Sequence, residues 1–105
     1  REIIVEMEKD SGTKFNNLKV DGGASNNNLL MQIQSNFLNS NVIRPKVTET
    51  TALGVAFFSG LATGFWSSID ELKEIWEIDK EFIPNPSKDD ISVIKNWEVR
   101  IKKVQ

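Results

Sequence analysis

The sequence predicts an α/β fold in which helices alternate with short strands. Two short apolar runs, residues 18–20 and 42–44, have the character of strands, and a helical segment separates them. A strand, a helix and a second strand joined by so short a crossover form a parallel pair with a right-handed connection. Two parallel strands are marginally stable unless other elements cover them. We therefore expect further strands upstream of Arg1. The alternatives are a piece that folds alone on its helices and one that pairs its sheet edge with a second copy.

The first helix is predicted from Ile3, Ile4 and Met7, which fall at helical spacing on one face. Gly12 is placed to end this helix, because glycine readily adopts the left-handed conformation of a helix cap. The sequence begins with Arg1 and not with methionine, and the apolar face is present from the first residues onward. We expect a piece cut from a longer chain.

The helix between the two strands carries Leu29, Ile33 and Phe37 at positions i, i+4 and i+8. This spacing places the three side chains on one face, and we predict that this face packs in the core. The second strand should be short, because Pro45 cannot donate a hydrogen bond to a ladder.

Residues 50–69 carry no charge over twenty positions, about the length that crosses a bilayer. Six of these positions are Ser or Thr and three are Gly, and Asp70 and Glu71 follow directly. We therefore predict a helix that is hydrophobic on most faces and buried in an α/β domain, not a membrane span. Gly60 and Gly64 would permit close packing against a neighbouring helix or sheet.

The tail begins with a capping box, in which Ser68 precedes Glu71 by three residues and starts a short helix. Residues 82–85 are predicted to be extended. A last helix places its apolar residues on one face: Ile94, Trp97, Ile101 and Val104.

Composition narrows the possible partners and chemistry. The net charge is −2, from 13 basic and 15 acidic side chains mixed along 105 residues, so no basic stripe suits nucleic acid. The sequence has no cysteine, which excludes disulfides and thiolate metal sites, and no histidine, the commonest metal ligand and general base. No signal peptide is visible, but a sequence expected to lack its native N-terminus makes this uninformative. We expect a reducing cytoplasm, which fits the absence of cysteine.

The most informative run is LKVDGGASNN, residues 18–27, in which a strand stops at two glycines and a helix opens. Glycine has no Cβ, so the backbone can reach positive φ and a ligand can approach the main chain closely. A helix N-terminus adds unpaired amide donors and a partial positive charge, which suit a phosphate. The turn alone is weak evidence, because Gly-Gly also makes ordinary tight turns, and it matches neither G-x-G-x-x-G nor a P-loop.

Four motifs together carry a resemblance to a known family. The run VDGGASNNNLLMQ, residues 20–32, resembles the adenosine-binding segment of the FGGY family of carbohydrate kinases. The pair RP at 44–45, followed by ETTALGVA at 49–56, resembles the next strand and buried helix of that family. The run GLATGFW at 60–66 is similar to the branch that phosphorylates glycerol. The resemblance extends from the first helix to about Trp97 and weakens over the last twenty residues.

The resemblance implies a ribonuclease-H-like, actin-like ATPase fold, with helices packed on a short parallel sheet. Residues 1–105 would be part of the C-terminal nucleotide-binding domain of a longer enzyme, inactive alone, and the parent would be a homo-oligomer. The parent would phosphorylate glycerol to glycerol 3-phosphate with ATP. This segment would form part of the ATP/ADP site, while the glycerol contacts and most Mg²⁺ ligands would lie outside it.

The resemblance also implies roles for four cofactor-binding residues. Gly22 would shape the turn, and Gly23 would bring its backbone amide to the phosphate end and leave room for the nucleotide. Ala24 would line the pocket by its small size. Asn27 matches the position whose amide approaches the adenine, the alternative being a solvated asparagine in the first helical turn. Ser25 is expected to cap the helix through its hydroxyl.

We expect no catalytic residue in this chain. Asp21 lies beside the turn, but the family takes its base from another segment, and Asp21 is expected to accept backbone hydrogen bonds and order the turn. Glu49 and Thr50 are expected to start the buried helix, where an acid faces the helix dipole favourably.

Three other interpretations remain open. A sister kinase acting on xylulose, ribulose or gluconate would share the glycine turn, although residues 49–56 and 64–66 fit the glycerol branch better. A non-kinase relative, such as an actin-like or chaperone ATPase, would use an analogous turn. The chain could also be an interaction module that docks through residues 50–66.

Overall fold

The computed structural model describes residues 1–104. Five helices, three strands and one 3₁₀ turn follow one another in this part of the chain. In chain order they are α1 (Glu2–Ser11), β1 (Asn17–Lys19), the 3₁₀ turn (Gly23–Asn26), α2 (Asn28–Leu38), β2 (Asn41–Pro45), α3 (Thr50–Thr63), α4 (Ile69–Ile75), β3 (Ile78–Phe82) and α5 (Lys88–Val104).

The three strands form one sheet in the order β1-β2-β3. β1 and β2 are parallel, with Leu18 opposite Val42, which confirms the predicted strand-helix-strand unit. β3 pairs antiparallel with the other side of β2 and places Phe82 opposite Val42. The sheet is therefore mixed, and the expectation of a purely parallel sheet is corrected. The segment predicted to be extended, residues 82–85, overlaps β3 only at Phe82. The rest of β3 was missed because its three central residues are charged, as is common for an exposed edge strand.

The core is small and lies between α2 and the sheet. Met31, Val42 and Phe82 are buried there, and Leu18 and Val20 pack against them. Because β2 is the central strand, its side chains are covered from both neighbouring strands and from α2. This core fixes the end of β1, and with it the start of the glycine turn.

The predicted core stripe of α2 is wrong in its register. Leu29 is 70% exposed and Ile33 is 37% exposed, whereas Met31 and Ser35 are buried. The Ser35 hydroxyl lies 2.9 Å from the carbonyl oxygen of Phe82, so a small polar residue brings α2 close to the sheet. Apolar periodicity does not include serine, so it does not reveal a contact face that contains Ser35.

The helix over 50–69 is shorter than the uncharged run and is not buried. Gly60 is the only residue of α3 that is buried among those described, while Val55 is 63% and Phe58 is 75% exposed. The prediction of a buried helix is thus wrong for residues 1–104, because the other described elements contact only the side of α3 that carries Leu53 and Phe57. No helix among the described residues is long and apolar enough to span a membrane.

The helix ends follow the predicted capping signals. Gly12 ends α1 in the left-handed conformation, with φ 64°. The Ser68 hydroxyl accepts a hydrogen bond from the backbone N–H of Glu71 at 3.3 Å, which confirms the predicted start of α4. The Glu71 carboxylate accepts in return from the backbone N–H of Ser67 at 2.8 Å, one residue earlier than a standard capping box.

The apolar face of α5 is only partly covered. Ile94 and Ile101 are half-buried, but Trp97 is 54% and Val104 is 87% exposed. The N-terminal end of α5 is tied to α2, because Asn36 Nδ2 donates to Asp90 Oδ2 at 3.3 Å.

Candidate functional site

The glycine turn begins where β1 leaves the sheet. The backbone of Gly22 has φ 79° and ψ 168°, a combination that is essentially restricted to glycine. Its N–H donates to the carbonyl oxygen of Thr48 at 2.8 Å. The turn therefore needs glycine at position 22 for its shape, and a neighbouring loop holds it in place.

Gly23 differs from Gly22 in its backbone conformation, although a Cβ added at either glycine would have open space. Its φ is not positive, and a Cβ built on it would meet nothing within 4 Å. It is exposed and begins the 3₁₀ turn. The fold of the described residues therefore does not require glycine at position 23, and the space beside it is open to a ligand.

The backbone amides of Gly23 and Ala24 open this 3₁₀ turn. The first amides of any helical turn lack partners inside it. Neither amide donates to a backbone or side-chain acceptor in the part of the chain that the structure describes. Two adjacent donors are thus available next to an open surface, and Ala24 presents only a methyl group there.

Ser25 closes the turn from inside and does not cap a helix. Its side chain is buried, with 2% exposure, and its hydroxyl donates to the carbonyl oxygen of Gly22 at 2.6 Å. The expectation that Ser25 caps the helix is therefore wrong. That position belongs to Asn27, since the 3₁₀ turn continues to Asn26 and the extended Asn27 directly precedes the first residue of α2.

Asn27 is the N-cap residue of α2. Its Oδ1 accepts from the backbone N–H of Leu30 at 3.1 Å. Its Nδ2 donates to no acceptor among residues 1–104, and the residue is exposed. The side-chain oxygen of Asn27 thus caps α2, and its side-chain NH₂ group remains available as a donor.

Asp21 ties the turn to α3. Its Oδ2 accepts a hydrogen bond from the hydroxyl of Thr50 at 2.6 Å, and its side chain accepts no backbone hydrogen bond in the described chain. The expectation that Asp21 orders the turn through backbone amides is corrected. Glu49 and Thr50 do start α3 as predicted, but Glu49 makes no side-chain cap hydrogen bond.

Arg44 is a site residue that the sequence analysis did not single out for the turn. It is only 8% exposed, and its Nη1 donates to the carbonyl oxygen of Ser25 and to Oδ1 of Asn28, each at 2.9 Å. On its other edge it pairs with Asp79, with Nη2 2.8 Å from Oδ2. A charged residue directly after Val42 and Ile43 in a short predicted strand was the available signal, because buried charges are paired.

The described residues offer no ready metal site. Within residues 1–104, no three acidic side chains lie close enough together to hold a metal ion. The arrangement as a whole is a turn with two unpaired amides, open space at Gly23 and an exposed amide side chain at Asn27. Such an arrangement can hold an anion and a polar ring edge.

The family model for the C-terminal domain of the FGGY family of carbohydrate kinases matches residues 1–63. The chain therefore belongs to this family, as its motifs predicted.

Individual relatives indicate which members of the family this chain resembles. A glycerol kinase of Saccharolobus islandicus is 49% identical over 104 residues, which is 98% of this chain and 21% of the relative. A glycerol kinase of Fusobacterium nucleatum is 52% identical over 90 residues, 86% of this chain and 18% of the relative. The chain thus spans about a fifth of the length of the curated relatives it matches.

Solved structures confirm the fold. The structure of Plasmodium falciparum glycerol kinase with ADP superimposes with a TM-score of 0.79 at 27% identity, over 97% of this chain and 21% of that one. A xylulose kinase from Lactobacillus acidophilus superimposes with a TM-score of 0.63 at 20% identity, over 80% and 17% of the two chains. The predicted architecture, part of the C-terminal domain of an actin-like ATPase fold, is confirmed.

Proposed function

We propose that residues 1–105 are part of the C-terminal nucleotide-binding domain of a kinase that phosphorylates glycerol to glycerol 3-phosphate with ATP. Curated relatives at about half identity over nearly the whole chain are glycerol kinases. One structural neighbour, a glycerol kinase, was solved with ADP. The segment forms part of the ATP/ADP site and is inactive alone. The observation that carries this proposal is the pair of unpaired amides at Gly23 and Ala24 beside open space.

In this proposal the glycine turn binds the phosphate end of the nucleotide. The N–H groups of Gly23 and Ala24 donate to phosphate oxygens, and the missing side chain of Gly23 lets the phosphates approach the main chain. Ala24 lines the site with a group too small to obstruct it. The Nδ2 of Asn27 donates to the adenine while its Oδ1 holds the first turn of α2.

The catalytic contribution of this segment is limited to binding and orientation. Anion binding at a helix N-terminus is worth roughly 0.3–1 kcal/mol, whereas enzymes lower reaction barriers by about 8–23 kcal/mol. Mg²⁺, when bound with ATP, neutralises phosphate charge. As the family resemblance implies, most of its ligands, the catalytic base and the glycerol contacts lie in the rest of the enzyme. Among residues 1–104, no three acidic side chains lie close enough together to hold a metal ion.

Two further expectations accompany the proposal. A homo-oligomer is expected from the family resemblance. A cytoplasmic location is also proposed, and the chain, which has no cysteine, needs no oxidising compartment for disulfides.

A second candidate is a sister kinase that acts on a pentulose or on gluconate. It is favoured by the structural neighbours, since a xylulose kinase and a gluconate kinase from Lactobacillus acidophilus both superimpose with a TM-score of 0.63. Comparing the activity of the full-length protein on glycerol, xylulose, ribulose and gluconate separates the two candidates. Activity on a sugar or gluconate alone would mean that the substrate is not glycerol.

A binding experiment tests the nucleotide site directly. We would titrate the full-length protein calorimetrically with magnesium-free ADP, as wild type, as Gly23→Val and as Gly23→Ala. Gly54→Ala is the matched control, because Gly54 also lacks a positive φ and has nothing within 4 Å of an added Cβ. We expect Gly23→Val to abolish binding, Gly23→Ala to weaken it and Gly54→Ala to leave it unchanged. Wild-type affinity in a folded Gly23→Val protein would mean that the turn is only structural.

A further inference from the structure

Among residues 1–104, Arg44 is the only charged residue that is buried. It lies on the central strand β2, at the point where the register of β2 and β3 is irregular. A buried charge is costly unless hydrogen bonds satisfy it. The hydrogen-bond partners of Arg44 therefore indicate which parts of the structure its buried guanidinium stabilises.

The guanidinium joins two parts of the proposed nucleotide site. Its Nη1 donates to the carbonyl oxygen of Ser25, which lies inside the 3₁₀ turn, and to Oδ1 of Asn28, the first residue of α2. Ser25 follows the two amide donors of the turn by one residue, and Asn28 follows Asn27 directly. One buried group thus fixes the turn and the start of the helix relative to each other.

The other edge of the guanidinium is held by β3. Its Nε and Nη2 both lie close to Asp79 Oδ2, at 2.9 and 2.8 Å. The side chain of Asp79 is 45% exposed, whereas that of Arg44 is 9% exposed, so the pair reaches from the sheet edge into the interior. The orientation of the guanidinium beneath the turn is therefore set from the strand β3.

We propose that Arg44 and Asp79 are positioning residues for the nucleotide. They hold the amides of Gly23 and Ala24 and the side chain of Asn27 in the spacing that a bound nucleotide needs. Preorganisation of this kind improves binding because the ligand does not have to order the site. The inference rests on the proposed function, since it gives these residues a role only if the turn binds nucleotide.

A lysine cannot replace Arg44 in this role. The guanidinium is planar and carries five donors in a fixed fork, whereas an ammonium is a point charge with three rotatable donors. Arg44 donates in two opposite directions at once, to the turn and to Asp79. Arg44→Lys retains the charge and loses this bridge, so it separates positioning from simple charge.

The experiment compares nucleotide affinity with stability in the full-length protein. Magnesium-free ADP is titrated into wild type, Arg44→Lys, Asp79→Asn and Ser35→Ala, and the melting temperature and both KM values are measured. We expect Arg44→Lys to weaken ADP binding about tenfold, as loss of one charged hydrogen bond would. KM for ATP should rise by a similar factor, with KM for glycerol within about twofold of wild type because the glycerol contacts lie elsewhere.

Ser35→Ala is the control for a purely structural effect. Ser35 is fully buried and bonded to Phe82 and Ser40, but it makes no contact with the turn through these bonds. We expect it to lower the melting temperature and leave ADP affinity unchanged. Equal losses of affinity in Ser35→Ala and Arg44→Lys would overturn the positioning role.

The remaining outcomes are also decisive. A folded Arg44→Lys protein with wild-type ADP affinity would overturn the inference while the proposed function stands. If Arg44→Lys does not fold, Asp79→Asn is the deciding variant, because Asp79 is half exposed and the substitution keeps its shape. We expect it to weaken ADP binding about threefold, and wild-type affinity there would overturn the inference. A wild-type protein that binds no ADP would overturn the proposed function itself.

Discussion

The hydroxyl of Thr50 donates to Oδ2 of Asp21 across 2.6 Å and joins the end of the first strand to the first residue of α3. A second bond, from the Gly22 N–H to the Thr48 carbonyl oxygen, lies beside it. The glycine turn is therefore held on this side by the loop before α3 and on the other side by Arg44. These two bonds link the turn to α3 and to the loop before it.

Replacing Thr50 with Val tests the link between α3 and the turn. Val has the same shape but cannot donate to Asp21, so we expect the free energy of unfolding to fall by about 0.5–1.5 kcal/mol. Chemical denaturation of the full-length protein measures this loss. Thr51→Val is the matched control, because Thr51 is exposed and makes no side-chain hydrogen bond in the described chain. Equal losses in the two variants would contradict a specific link.

The helix-capping role of Asn27 and its proposed contact with adenine can be separated by substitution. Asn27→Ala removes the cap on α2, and we expect a loss of about 1 kcal/mol of stability together with weaker ADP binding. Asn27→Asp keeps the acceptor oxygen that receives the Leu30 N–H but has no amide donor. We therefore expect near wild-type stability and weaker ADP binding, measured by denaturation and calorimetry. Full ADP affinity in Asn27→Asp would show that the side chain only caps the helix.

Replacement by alanine should lower the stability of the protein at Gly22 but not at Gly23. Gly22→Ala places a Cβ on a backbone with φ 79° and ψ 168°, so we expect a loss of about 1–3 kcal/mol of stability. Gly23→Ala has open space and no positive φ, and we expect its stability to remain close to wild type. Thermal unfolding of the two variants provides the comparison. A larger loss in Gly23→Ala than in Gly22→Ala would contradict the described turn.

The turn could be predicted from sequence because its signals are local. Gly22 needs its own φ, Gly12 ends its own helix, and the pairing of β1 with β2 follows from one short crossover. The roles of Ser25 and Asp21 could not be predicted, because their partners depend on where the 3₁₀ turn ends and on where α3 begins. Such contacts are set by the tertiary structure and not by the spacing of residues along the sequence.

The errors in burial have a similar origin. The register of α2 was misjudged because its contact with the sheet includes Ser35, which apolar periodicity does not count. The partnership of Arg44 with Asp79 joins residues 35 positions apart, and β3 itself is a charged edge strand. The exposure of α3 reflects how few described residues pack against it, a property that its own sequence cannot reveal.

The starts of α4 and α5 should respond to acid through their capping carboxylates. The backbone N–H of Ser67, and then its hydroxyl, lower the pKa of Glu71 below its ordinary value. The backbone N–H of Ser87, then its hydroxyl, lower the pKa of Asp90 in the same way. A carboxylate with a lowered folded-state pKa contributes stability above its ordinary pKa of about 4, and this contribution is lost as pH falls through the lowered value.

We therefore expect Asp90→Asn to destabilise the protein at neutral pH and to reduce the loss of stability below about pH 4. The measurement is the melting temperature of the full-length protein from neutral to acid pH. Asp89→Asn is the matched control, because Asp89 is exposed in the same helical turn and makes no side-chain hydrogen bond among the described residues. An identical pH profile for Asp90→Asn and wild type would contradict the capping role.

Gly60 leaves room for the ring of Trp66 after the end of α3. A Cβ added at Gly60 would overlap the six-membered ring of Trp66, which also packs edge-on against Phe57 at 5.4 Å and Phe65 at 5.0 Å between ring centroids. In Gly60→Ala the indole must move, and we expect a loss of about 1–3 kcal/mol of stability from overpacking. The gain in helix propensity from Gly to Ala, at most about 1 kcal/mol, acts against this loss and offsets only the lower end of that range.

Tryptophan fluorescence and chemical denaturation of the full-length protein measure the effect of Gly60→Ala. We expect the emission to shift as Trp66 leaves its partly buried position. Gly54→Ala gains the same helix propensity without meeting any atom within 4 Å, so it should be neutral or stabilising and leave the emission unchanged. Stability that rises equally in both variants would mean that Trp66 does not pack on Gly60. The end of α3 would then depend on the left-handed cap at Gly64 alone, and the direction of the chain into α4 on the Ser67–Glu71 hydrogen bonds.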